Sequence, residues 1–228
     1  MITGVGMVAV FLDVGGTLVD FSPPHHLQIK EALLSKGFDV PERKIFRAIA
    51  KQYGMSTVPS FKGGLTKIDY RLLLEDVGVP ASSDLAGFLS NIDQLGSKYS
   101  LYPDVEPFLR KLREEGVRLI LVTNATESMD RILENTRLIR QVDGVVSSFR
   151  LGVTKPHPRM FEEAKRLAGE PGVHIGDVYE VDYLGAEGAG LRSILLDRQG
   201  YYDDVDATRV SNLIQALPLI LNSSQHLS

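Results

Sequence analysis

Five polar residues, each closing or following an apolar stretch, carry the chemistry this sequence offers: Asp13, Thr123, Lys155, Asp177 and Asp182. Asp13 ends the run Val10-Phe11-Leu12 and opens Val14-Gly15-Gly16-Thr17. Thr123-Asn124 follows Leu119-Ile120-Leu121-Val122, and Lys155 sits in Thr154-Lys155-Pro156-His157-Pro158. Asp177 follows Val173-His174-Ile175-Gly176, with Asp182 a short step further on. Three carboxylates gathered about 5–6 Å apart would repel by roughly 3 kcal/mol per pair at an effective dielectric near 20. Such a set needs a cation. Hard oxygen ligands with open positions suit magnesium, which takes one or two carboxylates together with water and substrate phosphate. Lys155 adds a fixed charge that can meet a phosphate oxygen or orient a carboxylate. A carboxylate is itself a nucleophile towards phosphorus and forms an aspartyl-phosphate. Each residue alone also has an ordinary structural reading, as a helix cap, a first-turn acid or a solvated lysine. The ordered set is what points to chemistry.

The elements that must bring these residues together are legible in the hydrophobic pattern. Val8-Ala9-Val10-Phe11-Leu12 reads as a strand buried on both faces, as in a parallel sheet. Further strand-like runs are 117–122, 144–147, 173–175 and 193–196, with helical patterns between them. Asp104 is expected to cap a helix carrying Phe108, Leu109 and Leu112 and ending at Gly116. A helix is expected around 128–135, and another from Pro158 to Ala168 with Met160, Phe161, Ala164 and Leu167 on one face. This alternation predicts an α/β fold, a Rossmannoid doubly wound parallel sheet, in which ligands bind outside the carboxyl ends of the strands. The stretch 22–100 reads differently, with no convincing strand and four helices: Pro23 to Leu34, Pro41 to Tyr53, one capped by Thr66 and closed by Gly78, and one from Ser82 or Ser83 through Leu95. The division expected is a core of 1–21 with 101–228, and an inserted helical cap of 22–100. Tyr53, Lys62, Lys67 and Arg71 flank a glycine-bearing loop at 54–65 and are cap candidates for substrate contact. His25-His26 makes a poor metal site, because adjacent histidines point apart. Tyr201-Tyr202 reads as surface packing near the end of the sheet.

These motifs, in this order, resemble the haloacid dehalogenase-like (HAD) hydrolase superfamily over roughly residues 8–200. Asp13-Val14-Gly15-Gly16-Thr17 resembles its D-x-D-x-T motif, Thr123 its second motif, Lys155 its third, and Gly176-Asp177 through Asp182 its fourth. The resemblance implies that Asp13 attacks phosphorus and that Thr123, with backbone N–H groups near Asn124, binds the phosphoryl oxygens. Metal ligands are implied at Asp13, the Gly15 carbonyl and Asp177, with Asp182 bearing on the metal through water or on Lys155. The long gap between Thr17 and Thr123 matches the family's first cap class. One residue departs from the pattern. Gly15 stands where family phosphatases place their general acid/base, a group typically worth about 10²–10⁴-fold. The leading expectation is a magnesium-dependent phosphatase acting on a small phosphorylated metabolite. Two alternatives stay open. One is a phosphonate or haloacid hydrolase of the same superfamily; a phosphonatase would need a cap amine among Lys30, Lys36, Lys44, Lys51, Lys62 and Lys67. The other is a non-catalytic protein that binds a phosphorylated ligand.

Composition is that of an ordinary soluble globular protein. The 228 residues are 43% hydrophobic and 24% charged, with a formal charge of −4 and a pI near 5.8. That balance gives no electrostatic ground for nucleic-acid or acidic-membrane partners. The sequence has no cysteine, so disulfides and thiolate metal sites are excluded. The apolar start ends at Asp13, too short for a membrane span and without a basic region or cleavage site. A cytoplasmic monomer or homodimer is the expectation.

Overall fold

The first apolar run becomes a strand buried along its whole length, β1 (Ala9–Leu12). The computed structural model describes residues 9–56, 67–92 and 98–222. After β1 come β2 (Val19–Ser22), helices α1 (His25–Ser35), α2 (Glu42–Met55), α3 (Tyr70–Val77) and α4 (Ser83–Ser90), then β3 (Lys98–Leu101) and α5 (Val105–Glu114). They are followed by β4 (Leu119–Thr123), α6 (Met129–Asn135), β5 (Gly144–Ser147), α7 (Ser148–Leu151), α8 (Pro158–Ala168) and β6 (Gly172–Gly176). The chain closes with α9 (Leu184–Gly188), β7 (Arg192–Leu196), β8 (Arg209–Val210) and α10 (Ala216–Leu221).

Six strands form one sheet in the order β5-β4-β1-β6-β7-β8, and every pairing in it is parallel. Alternation along β1 divides the core. Val10 and Leu12 face a layer containing Phe108 and Leu112 of α5 and Ile220 of α10. Ala9 and Phe11 face Met160, Phe161 and Ala164 of α8. Helices therefore cover both faces, which is the doubly wound α/β architecture the pattern predicts. β1 lies between β4 and β6, so the strand order reverses there and a crevice opens at the carboxyl ends.

The inserted helices share an apolar core of their own, including Ile29, Leu33, Ile45, Leu73, Leu74 and Leu89. One of them, α2, lies against the sheet's far loop. Arg43 pairs with Asp203 and Asp204, Arg47 pairs with Asp204, and Phe46 packs between Tyr201 and Tyr202. Tyr201 and Tyr202 are thus buried, at 7% and 1% exposure, rather than on the surface. The Asp197 carboxylate accepts both of their backbone N–H groups and folds this turn inward.

Several element bounds differ from expectation for local reasons. Residues 22–100 are not free of strand: β2 and β3 pair antiparallel, Val19 opposite Leu101 and Ser22 opposite Lys98. β3 is mostly exposed and its partner lies across the whole insert, so no local alternation announces it. β4 starts at Leu119 and not at Val117, whose N–H returns to the Leu112 carbonyl to close α5. Asp104 precedes α5 but makes no side-chain cap bond; its carboxylate accepts from Arg198 and from the Leu213 N–H. Helix α3 begins at Tyr70 with Asp69 as its cap; Thr66, Lys62 and Leu95 lie outside the described residues. Among the described residues no helix is long and apolar enough to cross a membrane.

Candidate active site

Three sheet strands and the loop after β5 deliver the polar residues to one place. Asp13 continues β1, its N–H donating to the Ile175 carbonyl of β6 at 2.9 Å. The chain then turns tightly, with Gly16 N–H donating to Val19 O and both Leu18 and Val19 N–H donating to Val14 O. Gly16 has a φ of +77°, and a Cβ there would come within 2.2 Å of Asp177 Oδ2. Only glycine lets the turn lie against that carboxylate. A second close approach occurs at Gly176, where a Cβ would come within 2.2 Å of Asp182 Cγ. Asp182 lies in a π-helical turn, Tyr179–Tyr183, a conformation common at functional sites, and its side chain folds back under the end of β6. Asn124, just beyond β4, holds the other loop. Its Nδ2 donates to Lys155 O at 3.0 Å and its Oδ1 accepts from Lys155 N at 2.7 Å. The Asn124 amide is therefore engaged with backbone, and Thr123 is buried at the end of β4.

Lys155 is the pivot. Its Nζ donates to Asp13 Oδ1 and to Asp182 Oδ1, both at 2.6 Å, and its side chain is 1% exposed. Asp182 Oδ1 also lies 2.9 Å from His174 Nε2, and Asp182 Oδ2 accepts from Val178 N–H at 3.1 Å. His174 is fully buried; burial holds its imidazole below the usual value despite Asp182. A carboxylate only accepts, so the neutral ring carries its proton on Nε2. Burial also opposes the Lys155 charge, but Asp13 and Asp182 outweigh it and hold the ammonium above its ordinary value. Burial alone would raise Asp182; Lys155 and His174 reverse this and leave it below the carboxylate range. Asp13 goes the other way. Burial, with Asp182 adding, outweighs Lys155 and pushes it up to about 6. Asp177 is raised well above its ordinary value by burial and by Asp13 and Asp182. Its Oδ1 accepts a long bond, 3.3 Å, from Thr17 Oγ1.

One oxygen from each of Asp13, Asp177 and Asp182 lies within 4.8 Å of the others. Three ionised carboxylates with one ammonium would leave two negative charges uncompensated; burial first, and mutual repulsion after it, raises Asp13 and Asp177. The donor set is all hard oxygen, and a divalent cation of the magnesium type fits it. Asp182 is the least available, since both its oxygens already accept hydrogen bonds.

Above this cluster is a cavity of about 300 Å³. Phe21 of β2 and Met129 and Ile132 of α6 line it from the core, and Phe46, Ile49 and Tyr53 of α2 line it from the insert. Tyr53 is the cap candidate that reaches it; burial, with Tyr70 and Asp177, raises its phenol to about 12. Lys67 and Arg71 are exposed and do not line it. Lys155, Asp13, Asp177, Asp182 and Asn124 all do. Sequence reasoning missed His174 and Phe21. The first had a signal, being the one polar residue of an otherwise apolar strand; the second had none.

A family model described as haloacid dehalogenase-like hydrolase matches residues 7–190. The chain belongs to this family of hydrolases. Among curated relatives, human haloacid dehalogenase-like hydrolase domain-containing protein 3 is 31% identical over 186 residues, 75% of this chain and 70% of that one. The Bos taurus protein of that name is 40% identical over a shorter stretch, spanning 41% of its length. The glyceraldehyde 3-phosphate phosphatase of Methanopyrus kandleri is 30% identical over 213 residues, 87% of each chain. A solved HAD phosphatase from Thermococcus onnurineus shares the fold, with a TM-score of 0.60 at 22% identity over 94% of this chain and 98% of that one.

Proposed function

We propose that this chain is a magnesium-dependent phosphatase that hydrolyses a small phosphate monoester through an aspartyl-phosphate on Asp13. The observation that carries the reading is the pairing of Asp13 with Lys155 at 2.6 Å beside a second, strongly raised carboxylate, Asp177. Lys155 fixes one oxygen of Asp13, and Asp182 and His174 fix Lys155 in turn. The Asp13 carboxylate forms a bond to phosphorus as the bond from phosphorus to the ester oxygen breaks, the electron pair leaving with that oxygen. Water then attacks the acyl phosphate, releasing inorganic phosphate and restoring Asp13. Asp13, Asp177 and the Gly15 carbonyl would hold magnesium, with Asp182 acting on Lys155. When bound, the cation supplies the positive charge that the carboxylate cluster lacks and draws charge from the phosphoryl oxygens. Thr123 and the backbone around Asn124 would receive those oxygens. Residues 22–100 act as a cap, contributing Phe46, Ile49 and Tyr53 to the cavity and excluding water.

Two observations favour phosphate ester chemistry over the alternatives. Among the described residues no cap lysine lines the cavity: Lys30 pairs with Glu42, Lys36 lies over Phe88, Lys44 donates to Val77 O and Lys51 pairs with Asp76. A phosphonatase would need such an amine. The Asp177 and Asp182 pair, in turn, has no use in metal-free dehalogenation. Asp13→Asn is expected to abolish magnesium-dependent turnover of phosphate esters. Full activity of that variant would refute the mechanism.

A further inference from the structure

The cavity above Asp13 is apolar on both sides and acidic at its base. Phe21, Met129 and Ile132 of the core and Phe46, Ile49 and Tyr53 of the insert line it, with His25, His26, Thr126, Ser128 and Gln199 among the polar residues of its wall. Among the described lining residues Lys155 is the only lysine or arginine, and its ammonium already donates to two carboxylates. Asp20 also lines the cavity, accepting from the Tyr102 hydroxyl. Among the described lining residues a second anionic group on the substrate would find no lysine or arginine beyond Lys155 and would face Asp20 and Asp177. An aromatic ring would find aromatic and aliphatic surface on either side. A volume of about 300 Å³ suits one ring or two with a phosphoryl group.

A separate observation constrains the leaving group. Position 15 carries no acid: it is a glycine, and a Cβ there would press on the Phe21 ring, 3.3 Å from Cε2. The ester oxygen must therefore depart without a proton from that position. A phenoxide does so far more readily than an alkoxide, because a phenol has a pKa of about 10 and water-like alcohols lie near 15.7.

We infer that the substrate is an aryl phosphate monoester whose organic part is aromatic, apolar and uncharged. This rests on the phosphatase reading above and narrows it. In the first step the Asp13–phosphorus bond forms, the phosphorus–aryl oxygen bond breaks, and the phenoxide takes its proton from solvent. Hydrolysis of the acyl phosphate then consumes one water and yields phosphate.

The test is a substrate panel on the full chain with magnesium: phenyl and 1-naphthyl phosphate against cyclohexyl phosphate and 2-phosphoglycolate. The aryl esters are expected to exceed both others by at least 100-fold in kcat/KM. A rate on cyclohexyl phosphate or 2-phosphoglycolate within tenfold of phenyl phosphate overturns the inference. Calorimetry with phenylphosphonate and phosphonoacetate separates this from the underlying reading, since neither compound is an ester to be turned over. At least tenfold tighter binding of phenylphosphonate, with no ester hydrolysed, supports the apolar uncharged preference and removes the phosphatase reading. Equal affinity, or tighter phosphonoacetate, overturns the preference itself.

Discussion

His174 Nε2 lies 2.9 Å from the same Asp182 oxygen that accepts Lys155 Nζ at 2.6 Å. The ammonium partner of Asp13 is thus held, through Asp182, by a buried neutral imidazole. Replacing it leaves Asp182 one donor short in a dry environment, which costs about 1–3 kcal/mol. His174→Leu is expected to lose that stability in urea melts and to lower kcat at least tenfold with little change in KM. His174→Gln, which keeps a donor, should recover much of kcat. Equal kcat in both variants would mean that the ring only fills space.

Asp104 and Arg198 form a two-point ion pair, 2.9 and 3.0 Å, with side chains 13% and 11% exposed. Arg198 also donates to Thr17 O at 2.8 Å and lies 4.0 Å from the Tyr102 ring centroid. It therefore ties the end of β7 to the turn behind Asp13. Arg198→Ala strands a largely buried carboxylate and is expected to cost about 3–5 kcal/mol, read by chemical denaturation. A loss below about 1 kcal/mol would show that solvent replaces the guanidinium.

Magnesium should invert the effect of Asp177→Asn on stability. Without the metal, Asp177 is held among like charges, its carboxyl well above the ordinary value through burial and then Asp13 and Asp182. The neutral amide removes that repulsion, so the variant should be more stable than the wild type in EDTA by about 1 kcal/mol or more. With saturating magnesium the order should reverse, since only the wild type gains binding energy. Thermal melts of both proteins in both buffers decide it. An unchanged order would mean that Asp177 does not hold the cation.

His26 gives the fold a pH dependence. Its ring stands edge-on to Phe46 and Tyr201, 5.3 and 5.8 Å between centroids. Burial, partly opposed by Glu42, lowers its pKa from 6.5 to about 4. Between those values the unfolded chain binds a proton that the folded chain refuses. Its contribution is therefore fully present above pH 6.5, is lost as pH falls, and changes no further below about 4. The slope is at most about 1.4 kcal/mol per pH unit, and smaller because the ring is partly solvated. Denaturation of the wild type and His26→Phe at pH 7, 5.5 and 4.5 should show the wild type alone losing this increment. Parallel curves would refute it.

Gly15→Asp alone should gain little on alkyl esters, because Phe21 must first move by a few tenths of an ångström. Combined with Phe21→Leu, it should raise kcat on cyclohexyl phosphate at least tenfold, within the range of general acid catalysis. The single variant matching the double would mean that the ring is no obstacle.

Much of this was legible because it is written in short-range pattern. Ala9 to Leu12 is apolar without interruption, and Pro158 to Ala168 has a start signal and one apolar face; both became the elements expected. Asp13, Thr123 and Asp177 also stood out at the ends of apolar runs, with Lys155 and Asp182 a few residues beyond such runs. What stayed hidden depends on pairing across sequence distance. Lys98-Tyr99-Ser100-Leu101 is a strand only because Val19-Asp20-Phe21-Ser22 lies beside it. Asp104 has the look of a cap until Arg198 and Leu213 arrive to occupy it. Tyr201 and Tyr202 are buried because α2 of the insert packs on them. The Asn124 side chain clamps the Lys155 backbone, a contact across 31 residues that no local pattern announces.

The close approaches at Gly16 and Gly176 set how this site can diverge over evolutionary time. A methyl group at either position would overlap a carboxylate of the cluster, so neither position can drift without displacing one of the acids. Gly15 is different: it is outside the left-handed region and meets only the edge of a movable ring. New reactivity can therefore enter this scaffold through position 15 and its neighbour Phe21, while the two constrained glycines keep Asp13 and its acidic neighbours in register.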